Sequence, residues 1–398
     1  MTESMDRKQL KQNFMKVKIP FALDGSKYKR FSEVNTIYSR VTQDNSFSMF
    51  KRAIPERQLQ KVGKKGYSHK SYAAVNAAWT VYDHFYDAYS WNKIQGIPVS
   101  RIMEYESQLP KCEFTDTKKN NEIVKRLGQI FGACATGITK VDPEQLFIYS
   151  HNSENKPLNL PEGVKYAIVM LMEMDYEGIG TSPSVPAAIA TGEAYSRMTF
   201  AIACMAQFLR NLGYQAVPSG NDTGLSIPLA IQAGLGQFGR HGLLITPKFG
   251  PRVRICKVFT DFPLELDKPI DFGVTQFCRI CKKCAKYCPS QSISHTDGPT
   301  WDSPWKTPSN NPGVYKWYVN VDSCYKFWVQ NSSDCSNCIR VCPFNKPTGF
   351  FHNMARFFIK HFHFLDKLWI QLDNFMALFP WWSYGKKRDP DKFWSLHD

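Results

Sequence analysis

The sequence predicts an α+β protein, a layered α/β core followed by a small cysteine-rich domain. Two observations carry this. From residue 161 onward, short apolar runs alternate with helix-length segments. Eight of the 12 cysteines then crowd into residues 278–342. The chain has 398 residues, enough for roughly two or three domains. Its 43% hydrophobic and 21% charged residues exclude a disordered or fibrous protein. No apolar run reaches the ~18 residues of a membrane-spanning helix. No secretory or twin-arginine signal stands near Met1. The expectation is a chain that stays in the cytoplasm, or a mature form from which an export signal has been removed.

The elements follow in order. Residues 1–160 read as an N-terminal wrapping segment, polar and basic at first. Within it Ser71–Asn92 reads as a helix. Val75, Trp79, Tyr82, Tyr86 and Tyr89 share one face of it, favoured as core over pocket wall. A second helix is expected over 122–131, then a small-residue stretch from Gly132 to Gly137. Residues 161–270 form the α/β core. Lys165 to Met174 reads as a buried strand. Pro186 opens a long helix, since proline suits a first turn, and Gly213 closes it. Tyr214 to Val217 is a short strand. The turn Ser219-Gly-Asn-Asp-Thr-Gly224 leads to a helix around Pro228 to Ala233. The glycines Gly234, Gly236 and Gly239 imitate a dinucleotide loop, but they follow a helix and precede a strand, which is the wrong context. Strands at 243–246 and 252–259 complete the layer.

The cysteines have spacing that carries chemistry. Cys278-x-x-Cys281-x-x-Cys284-x-x-x-Cys288-Pro289 is the bacterial ferredoxin run. Cys335-x-x-Cys338-x-x-x-Cys342-Pro343 repeats it, with the first ligand, Cys324, pushed upstream by an insertion. A tight loop aims three thiolates at one iron–sulfur cube, and the cysteine before the proline faces the other. This assigns Cys278, Cys281, Cys284 and Cys342 to one [4Fe-4S] cluster. It assigns Cys324, Cys335, Cys338 and Cys288 to the second. Zinc sites or disulfides are the alternatives, and zinc does not predict the paired prolines. Cys112, Cys134, Cys204 and Cys256 read as buried apolar thiols. Residues 271–348 are thus a two-cluster ferredoxin-like domain, an electron wire whose chemical end lies elsewhere in the chain. Residues 349–398 form an aromatic C-terminal segment, expected to pack over the cluster domain or close a pocket. A membrane-surface patch is its alternative. The net charge of +15 suits anionic lipid, nucleic acid or an acidic partner, but no nucleic-acid recognition spacing is present.

The order of these motifs is specific. An α/β block holds Ser219-Gly-Asn-Asp-Thr-Gly-Leu-Ser-Ile-Pro228 and Ala233-Gly-Leu-Gly-Gln-Phe-Gly-Arg-His-Gly242. Two ferredoxin runs follow, then Tyr384-Gly385 and Phe393-Trp394. From about Lys165 to Trp394 the chain resembles the respiratory reductive dehalogenases. The Tyr384-Gly385 tail favours them over the related epoxyqueuosine reductases. The resemblance implies a nitroreductase-like α/β core that binds a base-off cobamide, a vitamin B12-type corrinoid. No Asp-x-His-x-x-Gly motif is present, so no histidine is expected beneath the cobalt. It implies reduction to Co(I) by the nearer cluster, and removal of halogen from a small organohalide, a chlorinated alkane or alkene.

By position in the matching segments, the resemblance makes Tyr195, Arg254 and Asn221 the catalytic residues, with Tyr195 the proton donor. A phenol is a weak acid at neutral pH, and a neighbouring guanidinium stabilises its anion. Thr191, Ser219, Thr223, Leu225, Ser226, Gly236, Gln237, Gly239, Arg240 and His241 become cobamide contacts. The insertion 295–317, with Asn311, Gly313 and Trp317, is expected to hold the cobamide tail and wall the pocket. A small membrane-anchor subunit, a membrane electron donor and a peripheral place on the outer face of the cytoplasmic membrane are further implications, with a homodimer as an option and no nucleic-acid partner. The rival readings are epoxide deoxygenation on a tRNA base and a cobamide-free electron-transfer protein.

Overall fold

The computed structural model describes residues 22–43, 54–89, 113–379 and 384–395. Cys112, Trp381 and Trp382, the end of the helix expected to reach Asn92, and the side chain of Tyr89 lie outside the described residues. At the centre is a four-stranded sheet. Its order is β1 (Ala135–Lys140), β2 (Tyr166–Glu173), β6 (Val253–Thr260) and β3 (Ala216–Ser219), and every neighbouring pair is antiparallel. β2 alternates between two cores: Ile168, Met170 and Met172 face one, Ala167, Val169 and Leu171 the other. Burial on both faces explains why the strand reads as an unbroken apolar run.

On one face lies the long helix α3 (Pro186–Asn211), which begins at the expected proline. Gly213, at φ 84°, follows its end in the left-handed conformation glycine tolerates. Its stripe of Ala194, Met198, Ala201, Ile202 and Met205 meets the sheet. Helix α1 (His69–Tyr89) packs on the outer side of α3. The closest approach is at Gly192, where a Cβ would come within 2.4 Å of the Trp79 indole. Helix α2 (Thr117–Ile130) covers β1, and α4 (Ser226–Gln232) covers the other face of the sheet. The stretch Gly234–Gly242 runs into a two-stranded hairpin, β4 (Gln237–Phe238) and β5 (Leu244–Ile245).

The structure differs from the sequence reading in two ways. The strand read at 243–246 pairs with Gln237–Phe238 in a separate hairpin and does not join the four-stranded layer. The sheet also begins at Ala135, inside the stretch read as wrapping.

The cysteine-rich domain follows β6. Helix α5 (Val274–Cys281) carries the first two cysteines of the first run, and α6 (Val321–Asn331) carries Cys324. The tail forms two helices, α7 (Phe350–His361) and α8 (Asp366–Met376), and α8 packs on α5. Asp373 of α8 ties the tail to this domain through ion pairs with Lys283 and Lys346. The tail therefore packs over the domain as expected, yet its outer face stays bare. Phe350, Phe351, Phe364 and Leu378 are 72–79% exposed.

Candidate active site

A cavity of about 700 Å³ lies between the aromatic face of α1, the turn after β3, the N-terminal stretch and the insertion. A second space, of about 1010 Å³, shares Ile231, Phe238, Tyr315 and Lys316 with it. Each is at the large end of ligand pockets, which run to ~1,000 Å³.

Tyr195 and Asn221 line the first cavity, and Arg254 stands against the Tyr195 ring. Tyr195 stands mid-helix on α3, one turn after Thr191, so the two share a face. Its ring is stacked on Trp79 at 4.8 Å and meets Tyr82 edge-on at 5.1 Å. The side chain of Asn221 donates a 2.6 Å hydrogen bond to its hydroxyl oxygen. The guanidinium of Arg254, on β6, lies 5.0 Å from the ring centroid and donates to Thr191 Oγ1 at 3.4 Å. Arg254 thus reaches the face of the ring, and the hydroxyl is addressed by Asn221. The Nε of Arg254 is buried without a partner among the described residues.

Asn221 is held by the turn that carries it. Asp222 accepts from the Tyr86 hydroxyl, from Gly220 N–H at 2.8 Å and from Thr223 Oγ1 at 2.9 Å. Ser219 Oγ donates to the Asp222 carbonyl, and the buried ammonium of Lys257 donates to Gly220 O and Ser226 Oγ. Burial pulls Lys257 down to about 8. A Cβ on Gly220 would strike the Tyr86 hydroxyl at 2.6 Å, so only glycine fits there. Ser219 and Thr223 therefore sit inside the turn, while Leu225 and Ser226 line the cavity.

The other residues assigned to the cobamide divide. Gln237 and Trp317 line the second space. Gly236 and Gly239 serve the hairpin: a Cβ on either would run into Ile245, at 2.3 and 2.8 Å. Asn311 donates to Lys29 O, and Gly313, at φ 79°, packs against Tyr28 and bonds Asp24. These two pin the N-terminal stretch. Arg240 turns away from the large cavity. Its guanidinium is 1% exposed and donates to the carbonyls of Cys278, Arg279, Ser294 and Thr296, under the face of Trp317. It clamps the first cysteine run.

His241 also faces that run. It lines a smaller cavity with Cys278, Cys281, Cys284 and Cys342. Burial pushes its pKa down to about 4. Burial raises the Cys342 thiol, and the nearby thiols of Cys278 and Cys281 add to that. The Cys338 thiol is raised by burial and then by Cys335, Cys324 and Cys288. The eight cysteines thus gather as the two foursomes that the ferredoxin spacing assigns. The first foursome lines a cavity rather than closing on a point, which suits a cube with a thiolate at each corner.

Sequence reasoning missed most of the walls of the large cavity. The stripe of Trp79, Tyr82 and Tyr86 lines it as well as the core. Leu23, Tyr28, Ile37 and Tyr38 come from the N-terminal stretch, and Lys316 from the insertion. Lys316 is drawn down to about 8 by burial. Asp334 was not foreseen either. Burial raises its pKa, against the opposing pull of Arg254 and Thr191.

Comparison with known proteins agrees with this layout. Residues 145–264 match the family described as reductive dehalogenase subunit, and residues 277–346 match the 4Fe-4S dicluster domain. A tetrachloroethene reductive dehalogenase of Desulfitobacterium hafniense is 39% identical over 306 residues, covering 67% of this chain and 54% of that protein. One from Sulfurospirillum multivorans is 40% identical over 238 residues, covering 60% and 46%. The chain spans about half the length of these curated relatives. The solved structure of a catabolic reductive dehalogenase shares the fold at a TM-score of 0.72 and 23% identity, over 95% of this chain and 50% of that one.

Proposed function

We propose, from the premise that the chain belongs to the reductive dehalogenase family, that it strips halogen from a small organohalide such as a chlorinated alkane or alkene. Replacing carbon–halogen by carbon–hydrogen takes two electrons and a proton. A base-off cobamide in the large cavity, fed through two [4Fe-4S] clusters, would supply the electrons when bound. The residues fit these groups. The paired spaces are large and walled by Trp79, Tyr82, Phe238 and Tyr315, and the cysteines form two foursomes.

The chain's own part is the proton and its surroundings. Tyr195 Oη carries the proton and Asn221 fixes its direction. Arg254 brings positive charge to the ring face and to the place where a halide would leave. Trp79 and Tyr82 keep water off the phenol, which strengthens these interactions. The observation that carries the reading is the 2.6 Å bond from Asn221 to Tyr195 within a cavity of this size.

Attachment to the outer face of a membrane, through a small anchor subunit and a membrane electron donor, belongs to the same proposal. The bare Phe face of α7 and α8 supports it, with Arg356, Lys360 and Lys367 on the same two helices. The deciding experiment is metal analysis and a visible spectrum of anaerobically prepared protein, followed by turnover of tetrachloroethene. About eight irons and one cobalt per chain, with chloride release, are expected. Full iron with no cobamide uptake would leave only an electron carrier.

A further inference from the structure

The cavity of the first cysteine foursome contains a donor that none of the described residues uses. His241 follows Arg240 in the hairpin between β4 and β5 and is 5% exposed. Its Nδ1 accepts the Leu243 N–H at 3.2 Å. An acceptor nitrogen carries no proton, so the proton of the neutral ring sits on Nε2. Nε2 is buried and has no hydrogen-bond partner among the described residues. A buried N–H left unpaired costs about 1–3 kcal/mol, so such a group calls for an acceptor.

The neighbours do not provide one. Arg240 spends its donors on four backbone carbonyls. Lys282 pairs with Asp297. The rest of the lining is Ile245, Phe277, Pro343, Phe344 and the cysteines. Sulfur is the acceptor that belongs in this space.

We propose that His241 is a positioning and tuning residue whose Nε2–H donates to a sulfur of the cluster held by Cys278, Cys281, Cys284 and Cys342. This rests on the iron–sulfur reading above. A hydrogen bond to sulfur favours the more negative, reduced cluster, so it raises the reduction potential. Arg240 contributes only charge and loop geometry, because its hydrogen bonds are committed elsewhere.

The test is a redox titration of the holoenzyme followed by electron paramagnetic resonance. Substituting His241→Phe keeps a ring and removes the donor. One cluster midpoint should fall by about tenfold in the reduction equilibrium, which is about 59 mV for one electron. The other cluster should not move, and His241→Gln, which keeps an N–H, should restore much of the shift. A second measurement needs no variant. Electron–nuclear double resonance on wild-type enzyme carrying ¹⁵N-histidine should show a nitrogen coupling to one reduced cluster. Full-iron enzyme with unmoved midpoints, or without that coupling, overturns this proposal alone. Protein that takes up no iron overturns the iron–sulfur reading with it.

Discussion

Tyr195 is the residue on which the proposed chemistry turns. A positioned acid contributes typically 10²–10⁴-fold to a rate. Tyr195→Phe is therefore expected to lower dehalogenation by about 100-fold or more at unchanged iron and cobalt content, measured as chloride release. Full turnover in that variant would refute the assignment. Lys257 gives a second prediction, in pH. Its ammonium releases the proton at about 8 in the folded chain and near 10.5 unfolded. Below about 8 both states carry the proton and the burial penalty is complete. Between about 8 and 10.5 only the unfolded chain holds it, so the folded state gains up to about 3 kcal/mol as pH rises. The thermal midpoint of the parent relative to Lys257→Met should climb across that window. A constant difference would show that the lysine is not strained. These residues were unequally legible. The cysteine foursomes were, because a ferredoxin loop is local and its spacing is its geometry. Tyr195, Asn221 and Arg254 are 26 to 59 residues apart, and nothing in the composition around them says that they meet. Arg240 and His241 were misdirected because a glycine-rich loop does not reveal which side its side chains take.

At the scale of elements, helix α1 and strand β1 show two ways a correct pattern can mislead. The α1 stripe is periodic, and a stripe facing an aromatic cavity looks the same as one facing a core. β1 carries no large apolar residue until Ile138 because it lies under tight cover. A Cβ on Gly137 would meet Ala233 O at 2.3 Å, and one on Gly128 of α2 would meet Thr136 at 2.3 Å. Small residues there are a packing requirement, and they erase the strand signal. The tail helices α7 and α8 carry the prediction at this scale. Phe350→Ser with Phe351→Ser and Phe364→Ser removes three exposed rings without touching the ion pairs of Asp373. Binding to vesicles rich in anionic lipid should weaken by tenfold or more, with melting little changed. Undiminished binding would separate this face from any membrane role.

For the whole molecule, the functional walls come from parts of the chain remote in sequence. Helix α3 supplies Tyr195, the insertion supplies Tyr315 and Lys316, and the first described residues supply Leu23 and Tyr38. That first stretch crosses the insertion like a belt. Asp24 N–H bonds Gly313 O at 2.8 Å, Tyr315 N–H bonds Ala22 O at 3.0 Å, and Arg40 forks onto Asp322. On the proposed function, this belt would lie across the route of a guest as wide as a corrin. The guest would then be seated first and the strap drawn across afterwards. Exchange of labelled cobamide in finished enzyme should be slow, and removal of residues 1–43 should speed it by at least tenfold. Equal exchange rates would mean that the guest enters by another door.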